Sequence, residues 1–128
     1  MIVVGLVLAA LAALIHVYIF VLESLRWTSP RSRALFGTTP QEAEATRAMA
    51  YNQGFYNLFL AVAVIVGIIA LAAGSTAVGA TLVFTGAGSM VLAGLVLLTS
   101  DRSKTSAALK QLVPPLLGIL ALAVGLAL

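Results

Sequence analysis

The stretch PQEAEATRAMAYNQGFYNLFLAVAVIVGIIALAA, Pro40–Ala73, changes character once and without a break. The part before Leu58 carries Glu42, Glu44, Arg47, Tyr51, Asn52, Gln53, Tyr56 and Asn57. From Leu58 to Ala73 no polar side chain remains. Thr39 stands at an N-cap position, Pro40 at N1 and Glu42 at N3, the pattern of a capping box. After Pro40 no proline interrupts the chain until Pro114. The stretch therefore predicts one helix over 40–73, about 50 Å long at 1.5 Å per residue. A hydrocarbon core of ~30 Å holds only part of that length. The first turns are expected to project into the cytoplasm, with Glu42 and Glu44 near the positive end of the helix dipole.

Three further apolar runs surround this one: Ile2–Leu22, Val78–Leu98 and Leu112–Leu128. Each has about the length that crosses a bilayer as a helix. In lipid every backbone polar group needs an internal partner, so helices are the natural form. The strict alternation of a barrel strand is missing. The whole chain agrees, with 128 residues, 62% of them hydrophobic and 9% charged. Soluble domains hold roughly 25% charged residues. The mean hydropathy is +1.14. The expected fold is all-α, a four-transmembrane-helix bundle in a single integral membrane domain over 1–128. Its helices fall near 2–25, 40–73, 78–99 and 106–128. The first run lacks a positive segment before it and is longer than a signal-peptide core, so it reads as a retained span.

Charge sets the expected orientation. Arg26, Arg31, Arg33 and Arg47 lie in the first connection, and Arg102, Lys104 and Lys110 in the third. The middle connection, Gly74–Ala77, carries none. The positive-inside rule places both basic connections in the cytoplasm and both termini outside, in a bacterial inner (plasma) membrane. The net charge of +3 is too small and too local to suggest nucleic acid. With no cysteine, disulfides, thiolate metal sites and Cys nucleophiles are excluded. One histidine and one nearby glutamate do not make a metal site. In the first connection, Thr28–Arg33 reads as a turn and Ala34–Phe36 as a short interfacial piece.

Depth along the helices brings the remaining polar residues together. Counted from the outer ends, His16 lies ~21 Å in, Asn57 ~24 Å, and Glu23 and Asn52 ~32 Å. If the first two long helices are antiparallel neighbours, His16 can meet Asn57 or Tyr56. Glu23 can then meet Asn52, Gln53 or Arg47. The candidate pocket or ligand-binding residues are His16, Glu23, Arg47, Asn52, Gln53, Tyr56 and Asn57. Polar groups at such depth face the bundle interior and mark function by default. They also serve as hydrogen-bonded glue between helices, and both readings stay open. Small residues at Gly79, Gly86, Ser89, Ala93 and Gly94 suit close contacts, either within the bundle or between subunits. Pro114-Pro115 removes two backbone donors and is expected to kink the last helix. The freed carbonyls near Lys110 and Gln111 are then able to face the polar layer.

Two resemblances bear on function. Arg47-Ala48 followed by Asn57-Leu58-Phe59-Leu60-Ala61 resembles the second-helix signature of the MAPEG superfamily, the membrane-associated proteins of eicosanoid and glutathione metabolism. That signature reads roughly R-A-x-x-N-x-x-E-x-x-P-L-F-L-A. Arg47 matches its arginine. Its asparagine position falls on Tyr51, with Asn52 one residue later, its glutamate on Gly54 and its proline on Asn57. The resemblance implies a homotrimer that binds a glutathione-like thiol and a lipophilic substrate. Arg47 would hold the anionic cosubstrate. The chain also resembles an uncharacterised family of small bacterial membrane proteins. It shares with them His16 and Leu22-Glu23 on the first helix and Asn52-Gln53-Gly54-Phe55-Tyr56-Asn57 on the second. Two functions follow as alternatives. One is a MAPEG-like binder or transferase for a small anionic cosubstrate and a lipophilic substrate. The other is a non-catalytic membrane protein whose polar layer fixes helix packing or binds a lipid headgroup; a homo-oligomer is compatible with either, and a trimer with the first.

Overall fold

A computed structural model describes all 128 residues. It contains helices and no strand. Helix α1 covers Ile2–Phe20 and continues as a π-helical turn over Val21–Leu25. Helix α2 is short, Pro30–Phe36. The long helices α3, Pro40–Ala72, and α4, Thr76–Ser100, follow. A 3₁₀ turn at Arg102–Lys104 leads into α5, Thr105–Ala127. Four helical segments are long and apolar enough to cross a membrane: Ile2–Leu25, Pro40–Ala72, Thr76–Ser100 and Arg102–Ala127.

The capping box at Thr39 is present. The Thr39 hydroxyl accepts from the Glu42 amide at 3.2 Å, and a Glu42 carboxylate oxygen accepts from the Thr39 amide at 2.8 Å. Thr39→Ala removes one of these bonds. It is expected to speed amide exchange in the first turn of α3 about fivefold, read by hydrogen exchange at residues 42–44. Helix α2 starts in the same way. Ser29 caps it through the Ser32 amide at 3.2 Å, and Pro30 holds the first position. Thr28–Arg33 is therefore only partly a turn: the helix begins at Pro30 and ends where Gly37 adopts φ 67°. That left-handed conformation is open to glycine without steric cost.

The long helices form a ring in which α1 packs on α3, α3 on α4, α4 on α5, and α5 back on α1. The sizes of the side chains are inverted relative to a soluble bundle. Ala9, Ala12, Ala13, Ala61 and Ala87 fill the centre, with Val64, Val83, Met90 and Leu122 among them. Large apolar chains point outward, with Val3 73% and Leu92 65% exposed. A helix that is apolar all round belongs in a buried or membrane setting. Without a hydrophobic drive between helices in lipid, small residues allow the close contact that holds them. A Cβ on Gly79 would stand 2.7 Å from the Gly67 carbonyl, and one on Gly67 would stand 2.9 Å from the Gly79 carbonyl. Gly86 seats Val64, and Gly94 seats Leu112. Of the two uses open to these small residues, contact within the bundle accounts for all three of Gly79, Gly86 and Gly94.

Candidate functional site

The polar residues collect at one end of the bundle, the end that carries all the basic side chains. The π turn at the end of α1 is central to this. Consecutive residues Glu23 and Ser24 both bond to α3: Asn57 Nδ2 donates to Glu23 Oε2 at 2.8 Å, and Ser24 Oγ donates to the Tyr51 carbonyl at 2.7 Å. Asn57 Nδ2 also reaches the Gln53 carbonyl at 3.2 Å. Gly54 lies under this turn. A Cβ there would meet the Ser24 side chain and stand 2.9 Å from the Ser24 amide nitrogen. The missing side chain lets α3 approach closely enough for both bonds. π turns occur often at functional sites.

Beside this contact lies a cavity of about 650 Å³. Its apolar wall includes Ile15, Ile19 and Leu22 from α1 and Ala93 and Leu97 from α4. Its polar lining includes Glu23, Gln53, Asn57, Lys104, Lys110 and Gln111. Helix α2 and the residues before it form one side, through Trp27, Leu35 and Phe36. That side is tied down at several points. Trp27 Nε1 donates to Thr46 Oγ1 at 3.1 Å, and its ring lies 5.0 Å from that of Phe36. Arg31 Nε donates to the Tyr18 hydroxyl at 2.8 Å. Buried Ser32 donates to the Leu22 carbonyl at 3.4 Å.

Helix α5 runs through Pro114 and Pro115 to Ala127. Proline has no N–H, so the carbonyls four residues back, on Lys110 and Gln111, lose their α-helical donors. Both residues line the cavity. Between α4 and α5, Asp101 accepts from Ser103 Oγ at 2.6 Å and from the Ser103 amide at 3.0 Å. The Ser103 hydroxyl, with smaller help from Lys104, holds the Asp101 carboxyl below its ordinary value. Lys104 Nζ lies 3.7 Å from Asp101.

The seven residues singled out by the sequence separate. Glu23, Gln53 and Asn57 share the cavity. His16 does not meet Asn57 or Tyr56. It is 1% exposed, and its Nδ1 donates to the Ala12 carbonyl of its own helix at 2.9 Å. The alanine-rich centre leaves room for the ring there, and the preceding turn satisfies it. Arg47 does not meet Glu23: its side chain is 68% exposed and stands 3.6 Å from Glu44. At i,i+3 that acid is the nearer neighbour on the same exposed face. Asn52 is exposed, and Tyr56 is 64% exposed on the outer face of α3. Glu23 takes Asn57 as its partner rather than Asn52, Gln53 or Arg47.

Ser24, Trp27 and Lys104 were not among the expected residues. Nothing in the local sequence marks the π turn that brings Ser24 to α3. Lys110 and Gln111 did carry a signal, their position four residues before the paired prolines. No match is found among curated proteins or among solved structures. Residues 10–123 match the family described as "Protein of unknown function (DUF1304)". With a match over most of its length and four helices able to cross a membrane, the chain is a multi-pass membrane protein that belongs to the DUF1304 family.

Proposed function

We propose that this protein binds a small amphiphile in the cavity at the basic end of its bundle. The observation that carries the reading is the cavity itself. It joins an apolar wall from α1 and α4 to a polar floor around Glu23 and Asn57, with Lys104 and Lys110 along it. Its volume of about 650 Å³ falls within the ~300–1,000 Å³ of typical ligand sites. We read the chain as a single integral membrane domain, with the basic end cytoplasmic by the positive-inside rule. The cavity then lies where the inner leaflet meets water.

Part of the polar layer serves packing instead. Ser24, the Tyr51 carbonyl and Gly54 fix how α3 seats on α1. That feature favours the non-catalytic reading for these three, and leaves Glu23, Asn57 and Gln53 to the ligand. A transferase acting on a glutathione-like thiol would need Arg47 at its site. Arg47 stands outside the cavity, so that activity would require a pocket completed by another subunit.

Trp27 is the only tryptophan and lines the cavity, so the protein carries its own reporter. Titrating short-chain phospholipids into purified protein in a non-fluorescent detergent is expected to shift Trp27 emission to saturation. Ala93→Phe places a ring against the cavity wall from an exposed backbone position. It is expected to weaken binding at least about tenfold, a change of about 1.4 kcal/mol, without lowering the melting temperature. Equal titration curves for the two proteins would remove the cavity from consideration. Native mass spectrometry of the same samples counts the subunits and tests for a homo-oligomer.

A further inference from the structure

We infer that the ligand is zwitterionic, with a primary ammonium at Glu23 and Asn57 and an anionic phosphate at Lys110, as in the headgroup of an aminophospholipid. This rests on the amphiphile-binding reading and gives it a chemical class.

The first observation concerns charge. Glu23 shares the cavity with Lys104 and Lys110, yet the protein's ion pairs are Arg47–Glu44 and Lys104–Asp101. The carboxylate has a hydrogen bond from Asn57 but no cation from the protein. Lys110 likewise has no acid partner. An acid and a base thus line one cavity without pairing with each other. A ligand that carries both signs satisfies both.

The second concerns hydrogen bonding. Asn57 uses its Nδ2 on Glu23 Oε2 and the Gln53 carbonyl. Glu23 Oε1 and Asn57 Oδ1 receive no donor from the protein. This side of the cavity is therefore rich in acceptors and calls for a donor. A primary ammonium offers three N–H groups, and a quaternary ammonium offers none.

The third is depth. Measured from the apolar end, Glu23 lies ~32 Å along its helix, Gln53 ~29 Å and Lys110 ~26 Å. A hydrocarbon core is ~30 Å thick, so this layer falls at the headgroups. The apolar wall from Ile15 to Leu22 continues toward the bilayer centre and suits an acyl chain.

The test uses the full chain, with Trp27 emission and native mass spectrometry as readouts. The probes are short-chain phosphatidylethanolamine, phosphatidylcholine and phosphatidylglycerol. The wild type is expected to prefer phosphatidylethanolamine over both others by about tenfold. Glu23→Gln keeps an acceptor for Asn57, so the fold should hold, and the preference over phosphatidylglycerol should vanish. Lys110→Glu, at an exposed residue, should weaken phosphatidylglycerol and phosphatidylethanolamine alike. Equal binding of all three lipids by wild type, or an unchanged preference in Glu23→Gln, would overturn the zwitterion and leave the cavity reading standing. If no lipid shifts Trp27 and Ala93→Phe changes nothing, the cavity reading itself fails and takes the zwitterion with it. Phosphoethanolamine that saturates the site alone would support the charge pairing and assign it to a soluble ligand. If it binds only as part of a lipid, the charge pairing stands and the source is the membrane.

Discussion

Gly79→Leu is expected to leave no folded bundle in mild detergent. At this crossing Gly67 and Gly79 let the α3 and α4 backbones touch, with the Leu71 side chain packed beside them. A Cβ on Gly79 would lie 2.6 Å from the Leu71 amide nitrogen and 2.7 Å from the Gly67 carbonyl. The Leu71 Cγ, also 2.6 Å away, can shift, but these two obstacles are helix backbone and cannot rotate away as a side-chain tip can. Leucine adds three more carbons to that collision. Overpacking of an ordinary core costs about 1–3 kcal/mol, and a contact against backbone on both helices belongs at or above the top of that range. The neighbouring turns supply the control. An added Cβ on Gly88 meets nothing within 4 Å, and Gly88→Leu should express and melt like wild type. Size-exclusion profiles and thermal unfolding by circular dichroism distinguish the two. Equal behaviour would mean that α3 and α4 are not held together at this crossing.

This contrast marks how far the sequence could be read. Four long helices were legible because each run is long enough to cross a bilayer and apolar all round. The start of α3 was legible because Thr39, Pro40 and Glu42 form a local code that is read within one turn. Ser29-Pro30 carries part of that code, and α2 begins there. Its brevity and the arginines inside it, Arg31 and Arg33, make it look like a turn. Which glycines matter was not legible, since Gly79 and Gly88 look alike on one helix and differ only in what lies opposite. The candidate site divides in the same way. Depth along each helix placed Glu23, Gln53 and Asn57 in one layer, and they share a cavity. Depth says nothing about rotation around the helix axis. Rotation turns His16 into the alanine core and leaves Arg47, Asn52 and Tyr56 exposed. The π turn at Val21–Leu25 changes that rotation within a single turn. It has no glycine or proline to announce it.

The Glu23–Asn57 contact separates stability from binding, and a double-mutant cycle reads both. Asn57→Leu removes the only hydrogen bond to the Glu23 carboxylate. The acid remains half-buried against α3 with no donor and no cation. A hydrogen bond between membrane helices contributes about 0.6–1.7 kcal/mol, and a half-buried carboxyl left unpaired places this one near or above the upper value. A loss of about 2 kcal/mol is expected. Glu23→Leu alone removes the charge and leaves the Asn57 amide its bond to the Gln53 carbonyl at 3.2 Å, so its loss should be smaller. With both changed to leucine, neither unpaired group remains, and replacing both partners by apolar groups can be nearly neutral. The double variant should therefore be more stable than Asn57→Leu and melt close to wild type. Binding should follow a different order, because the ligand needs the acceptors that leucine lacks. All three variants should lose the Trp27 response to phosphatidylethanolamine, including the stable double variant. A double variant that is both stable and fully responsive would separate the pair from the ligand and reduce it to a contact between α1 and α3. One that unfolds as readily as Asn57→Leu would show that the carboxylate is held by more than this one amide.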